Sequence, residues 1–391
     1  AIESSRDKTE TPMTIYLDHN ATTPVRPEAA EAVAAALTAT GNPSSVHGAG
    51  RRARMLVEDA RERVAALVGA RAEDVIFTSG GTEANNLALA NLPKGGADGP
   101  VFASAVEHVS VLEGTDNVIQ VSVDGDGVVD LMELDACLKD ALNRVEGGRA
   151  LVSVMLANNE TGVIQPIRKI AELAAEYDAV FHCDAVQAAG KLAIDFPALG
   201  AHMISVSAHK VGGPPGVGAL IVAPGHQATA AIRGGGQERS RRGGTENVPG
   251  IAGFGRAAEA ALADIGRLQG LAGLRDRMEA AITAAAPDVK IFAKGRERLA
   301  TTSCLAMPGV SSETQVMAFD LDGIAVSAGS ACSSGKVAPS HVLAAMGVDE
   351  NDLKSAIRVS LGWTTTADDI DTFTAAWTGL HARIGGGSLA A

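Results

Sequence analysis

The chain has few aromatic residues, 3% of its 391, so its core must be built from small and aliphatic side chains rather than from stacked rings. Its four cysteines, Cys137, Cys183, Cys304 and Cys332, are far apart and form no CxxC pair. In a chain of this size that argues for reduced thiols and a reducing, cytoplasmic setting, and against a disulfide framework. No cysteine and histidine spacing suits structural zinc, and no metal is expected for catalysis. Basic excess is absent as well: 33 Lys and Arg stand against 46 Asp and Glu, a net charge of −13, which excludes a general nucleic-acid footprint. The longest uncharged stretch, Val211 to Ile232, is interrupted by Gly212, Gly213, Pro214, Pro215 and Pro224 and cannot read as a membrane span.

What is present is 46% hydrophobic residues, 20% charged residues and 44 glycines, enough to bury a large core with many tight loops. Residues 1–12 are polar with no apolar segment. They are expected to be a disordered leader or a cloning remnant ahead of Met13. The short apolar runs DVIFTS (74–79), VFAS (101–104), ALVSVML (150–156), AVFHC (179–183) and MISVS (203–207) read as buried strands. Between them EANNLALANL, LMELDACLKDAL and IRKIAELAAEY carry apolar residues at helical spacing. This alternation predicts an α/β fold with a mostly parallel central sheet covered by helices. An Ala-rich helical pattern from Val248 to about Ala285, strands at TTSCLAM and AIRVSL and a last helix over 367–384 predict a smaller α+β unit. The expected division is 13–260 for the large domain and 261–391 for the small one.

Three strand ends carry chemistry. TSGGTEANN places Ser79, Gly80 and Gly81 in a turn before a helix, a cup of free amides suited to phosphate or to an ordinary capping box. FHCDAVQ ends a strand in Asp184, and MISVS runs into Ser207-Ala208-His209-Lys210. A phosphate cup, a carboxylate and a lysine at the ligand-binding edge of one sheet match the needs of pyridoxal phosphate: anchoring amides, an amine that forms an imine and an acid that keeps the ring nitrogen protonated.

With these motifs on view, the chain resembles the class V, fold-type I pyridoxal-phosphate enzymes, and among them the cysteine desulfurases of the NifS and IscS type. The likeness runs from YLDHNATTPV at residue 16 to SAIRVSLG at residue 362. It implies that Lys210 is the Schiff-base lysine, that Asp184 partners the pyridine nitrogen, and that Gly81, Thr82, Ser207 and His209 hold the phosphate. It further implies that His108 in VEHVSVLE lies over the ring and that Gln187 and Asn159 lie near the ring hydroxyl, Asn159 also serving the substrate. Thr245 in RRGGTEN is similar to a threonine that reaches the phosphate of the other subunit, which implies a homodimer. Asn42 in GNPSS and Arg358 in AIRVS resemble the clamp on the substrate carboxylate. Cys332, within SAGSACSSGKVAPSHVL, resembles the thiol that takes sulfur from L-cysteine as a persulfide and hands it to acceptor proteins such as an iron–sulfur scaffold. Gly243 departs from the pattern, standing where serine is usual. The alternatives are another class V aminotransferase or lyase, in which Cys332 is incidental, and a catalytically silent scaffold.

Overall fold

The computed structural model describes residues 15–91, 99–144, 150–226, 228–329 and 339–384. The expected leader, residues 1–12, and Cys332 lie outside the described residues. Seven strands form the central sheet in the order Val75–Thr78, Gly218–Val222, Met203–Ser207, Val180–Asp184, Leu151–Ser153, Val101–Ser104 and Val118–Val121. Gly218–Val222 is antiparallel to both its neighbours, and every other adjacent pair is parallel.

Five of these strands coincide with the expected runs. The other two carry weak signals for physical reasons. Val118–Val121 is an edge strand with only Val121 buried, so its sequence shows no apolar run. Gly218–Val222 is buried throughout but sits among Gly and Pro residues that read as a loop. A side chain at Gly218 would bring its Cβ within 2.6 Å of the Gly80 backbone, so glycine there lets this strand pass the turn that opens the Gly81–Leu89 helix.

Alternate residues of each strand face opposite layers. Phe77, Val152, Phe181 and Ile204 join one core with the helices Gly48–Leu67, Ile167–Glu176 and Val248–Gly270. Ile76, Leu151, Val180 and Met203 join the other with the Gly81–Leu89 helix. The scarcity of rings is answered by alanine: Ala53 and Ala60 on one helix and Ala257, Ala258 and Ala261 on another are buried, and such small residues let helices pack closely.

A second, four-stranded antiparallel sheet has the order Ser327–Ala328, Ala356–Ser360, Thr302–Ala306 and Lys290–Ile291. Its core gathers Phe319, Phe373 and Trp377, three of the few large rings, with the helices Ala272–Ala285, Ser312–Leu321 and Ala367–Ile384 around them. Ile15–Tyr16 pairs with Ile324–Ala325 and Leu17 is buried in this same core, so the start of the described chain belongs to the smaller layer. The boundary expected near residue 260 falls inside the unbroken helix Val248–Gly270. None of the helices among the described residues is long and apolar enough to cross a membrane.

Candidate active site

Because Val75–Thr78, Val180–Asp184 and Met203–Ser207 point the same way, their carboxyl ends open on one edge of the sheet. The first leads through Ser79 and Gly80 into the Gly81–Leu89 helix, the second ends in Asp184, and the third turns through a short helical turn, Ala208–Lys210. They meet at a cavity of about 580 Å³ lined by Gly81, Thr82, Asp184, Ser207, His209 and Lys210. His108, Asn159, Gln187 and Arg358 line it as well. Asn42 and Thr245 do not line this cavity, and both are exposed.

The Gly81–Leu89 helix has no side-chain cap at Gly80, which leaves amides of its first turn for a ligand; Glu83 turns back to accept from the Ser79 amide at 2.7 Å. Ser207 Oγ is buried with no hydrogen-bond partner among the described residues. A buried hydroxyl left unpaired is costly, and a phosphate oxygen would satisfy it. Asp184 accepts from Asn85 Nδ2 at 2.7 Å and from the Val186 amide at 2.9 Å, which fixes the plane of its carboxyl group. Lys210 Nζ donates to the carbonyls of Asn20 at 2.6 Å and Ala21 at 2.7 Å.

His108 caps the short helix Val109–Leu112. Its Nδ1 accepts from the Ser110 amide at 3.1 Å, so the neutral ring carries its proton on Nε2. Burial lowers the pKa of His108, with Lys210 and His341 adding to the effect and Asp184 opposing it. His209 is pushed down to about 4, by burial first and by Lys210 second. Glu107, fully buried beside His108, has its carboxyl pushed well up by burial, reinforced by Asp184.

The smaller layer contributes Arg358 from the strand Ala356–Ser360. Arg358 is 5% exposed; its guanidinium donates to the Asn159 carbonyl at 3.0 Å and pairs with Asp18 at 2.6 Å, while its Nε is buried without a partner among the described residues. Asn159 Oδ1 is likewise unpartnered. Gly329 and His341, on either side of the segment that carries Cys332, both line the cavity, and His341 Nε2 donates to the Glu107 carbonyl at 2.9 Å. Of the other thiols, Cys183 and Cys304 are buried and Cys137 is half-buried. Burial pushes the thiol of Cys183 well up and takes it far from reactivity.

Gly243 also has a physical account. A Cβ there would lie 2.9 Å from the carbonyl carbon of Arg233 and from the amide of Gly234, so a side chain needs the backbone to shift. The loop it belongs to is docked from two sides: Arg242 pairs with Glu83 at 2.9 Å, and Glu238 accepts from the buried Arg61 at 2.7 Å.

Sequence reasoning missed Asp18, Asn20, Asn85, Glu107 and Lys191, all polar and most of them buried at this site. They sit in no hydrophobic period, and only their spatial convergence marks them. The HNATTP segment, rich in polar residues just after an apolar run, was the one available signal for Asn20.

The model of the aminotransferase class-V family matches residues 15–373. The chain belongs to that family. It is 44% identical to a cysteine desulfurase of Cereibacter sphaeroides over 369 residues, covering 91% of this chain and 93% of the relative. It is 40% identical to the cysteine desulfurase IscS of Dictyoglomus turgidum, covering 91% and 92%. The structure of a NifS-like protein from Rickettsia africae superposes with a TM-score of 0.86 at 38% identity, covering 94% of this chain and 99% of that one. Members of this class-V family depend on pyridoxal phosphate. The cavity fits that group: a buried hydroxyl and helix amides for the phosphate, a carboxyl held in place, and a lysine lining the same cavity.

Proposed function

We propose that this class-V protein is a cysteine desulfurase that converts L-cysteine to L-alanine, leaving the sulfur as a persulfide on Cys332 for acceptor proteins such as an iron–sulfur scaffold. The observation that carries the reading is the convergence of Lys210, Asp184, Ser207 and the Gly81–Thr82 amides on one cavity that Arg358 enters from the smaller layer. Near full-length similarity to cysteine desulfurases supports the choice of substrate over that of another class V aminotransferase or lyase.

Gly81, Thr82, Ser207 and His209 hold the phosphate, with Thr82 at the open start of its helix. His209, kept neutral by its lowered pKa, adds hydrogen bonding without charge. Asp184 holds the proton of the ring nitrogen, Asn85 and Val186 fixing its direction. When bound, pyridoxal phosphate supplies an electron-poor ring that stabilises negative charge beside the substrate α-carbon. Lys210 would hold that group covalently, and its amine would move protons at the substrate. The carbonyls of Asn20 and Ala21 mark where its amine rests. His108 keeps a proton on Nε2 and serves as donor at neutral pH. Arg358, with Asn159 beside it and Asn42 in the expected supporting role, orients the cysteine carboxylate.

In the overall exchange the cysteine C–S bond breaks, an S–S bond forms on Cys332 and the displaced thiol proton is balanced by a proton on the new alanine methyl group. The position of Gly329 and His341 at the cavity supports Cys332 as the acceptor. The protein acts as a homodimer in which Thr245 completes the phosphate site of the other subunit; the exposure of Thr245 outside its own cavity supports this. Its free thiols support a cytoplasmic setting.

Borohydride reduction followed by peptide mapping tests the assignment: the pyridoxyl label is expected on Lys210, with alanine and sulfide formed in equal amounts from L-cysteine under reducing conditions. A label on another lysine, or no sulfide from cysteine, overturns it.

A further inference from the structure

Lys191 is a lysine with no part in the reaction described above, yet it is 7% exposed and lies four residues beyond Gln187 in the turns that follow the Val180–Asp184 strand. Among the described residues its Nζ meets two side-chain oxygens, Asn20 Oδ1 at 2.7 Å and Gln187 Oε1 at 3.0 Å. We propose that Lys191 is a positioning residue that fixes the amide of Gln187 with its nitrogen toward the cavity, so that this side chain meets the cofactor as a hydrogen-bond donor. The inference rests on the reading of the cavity as a pyridoxal-phosphate site.

Burial pushes the Lys191 amine well below its usual pKa, with Lys210 and Arg358 adding to the effect, yet even uncharged it keeps two N–H bonds, one for each oxygen it meets, so the amide turned toward it presents oxygen. Gln187 does so, and its Nε2 is left to donate to the Asn20 carbonyl at 2.9 Å. That bond uses one of the two N–H bonds of the amide, and the other remains for the cavity that Gln187 lines. Asn20 is held by the same logic: its Oδ1 faces Lys191, while its Nδ2 donates to the Asn159 carbonyl at 3.1 Å and to Thr302 at 3.0 Å. The Asn20 carbonyl also accepts from Lys210, and the Asn159 carbonyl also accepts from Arg358, so one buried amine ties the ring-facing amide to both reactive cations. Without Lys191 the Gln187 oxygen would be buried and unpaired, and the amide would turn to find a donor.

A cavity-facing N–H favours a ligand oxygen that accepts, and the ring hydroxyl of pyridoxal phosphate is the group expected beside Gln187. The test is equilibrium titration of the apoprotein with pyridoxal phosphate and with its analogue lacking the ring hydroxyl, followed by absorbance or fluorescence quenching. The wild-type protein should prefer the natural cofactor, and Lys191→Met should shrink that preference on the order of tenfold while leaving affinity for the analogue nearly unchanged. In a Gln187→Met background, Lys191→Met should not change the preference further. Should Lys191→Met not fold, Lys191→Gln, whose shorter side chain ends in an amide that can donate or accept and so does not dictate which end of Gln187 faces it, should shrink the preference in the same direction by a smaller factor. Equal weakening of both ligands, or an additive effect in the double variant, makes Lys191 merely structural and overturns the proposal; an unchanged preference in the lysine variants does the same. Failure of the wild-type apoprotein to bind either ligand would instead overturn the cofactor reading.

Discussion

Replacing Arg358 by lysine keeps the positive charge but removes the planar fork. Arg358 now spends Nη1 on the Asn159 carbonyl and Nη2 on Asp18, at 3.0 and 2.6 Å, with Nε buried and unpaired among the described residues. The site therefore has an unused donor and a charge aimed across a cavity where the substrate carboxylate is expected. A lysine ammonium, a point charge at the end of a flexible stem, cannot hold Asp18 and the Asn159 carbonyl and still offer two parallel bonds to a carboxylate. Loss of one charge-assisted hydrogen bond is worth about 1.5–3 kcal/mol. At about 1.4 kcal/mol per factor of ten, kcat/KM for L-cysteine should fall roughly 10- to 150-fold. The assay is initial-rate alanine formation over a range of cysteine concentrations, with cofactor content measured in parallel and thermal melting used to show that the fold is intact. If kcat/KM stays within about twofold of the parent at equal cofactor content, the guanidinium does not bind substrate and the Asp18 pair is a structural tie.

Cys332→Ala should retain bound cofactor yet give neither sulfide nor a persulfide mass; parent-rate sulfide, or persulfide found on Cys137, Cys183 or Cys304, would refute the acceptor assignment. Mixing Lys210→Ala with Thr245→Ala subunits confines both lesions to one site of each heterodimer, so activity should reappear in verified heterodimers of two impaired parents, and its absence would speak against shared sites. Acid should destabilise the fold through buried imidazoles. His182, between Ser153 and Ser205 at 2.9 Å each, is pushed down to about 4 by burial, and His19 and His209 are also lowered to about 4. Because the unfolded chain binds these protons near the ordinary imidazole value of about 6.5, the stability they contribute is present above that pH and is lost as pH falls toward 4. Denaturant midpoints should decline from pH 7 to pH 5, and a flat profile would contradict the burial argument.

The sequence by itself determined the class of fold and the strand ends that line the candidate site. Buried parallel strands need continuous apolar runs, which is why five strands and the carboxyl-edge positions of Asp184 and Lys210 were visible in one dimension. The two strands that were not visible, Val118–Val121 and Gly218–Val222, lack that pattern because one is an exposed edge and the other is dominated by glycine and proline neighbours. Tertiary structure alone decided which polar residues support the chemistry. Asn20 and Lys191 lie 171 positions apart and Arg358 and Asp18 lie 340 apart, yet each pair is in hydrogen-bond contact. Polar networks of this kind follow no helical or strand period, since each member is chosen by the donor or acceptor it faces across the fold rather than by its neighbours along the chain. The placement of Ile15–Leu17 in the smaller layer has the same origin: a short apolar segment fits either core, and its pairing with Ile324–Ala325 brings Asp18 to Arg358, which lines the cavity.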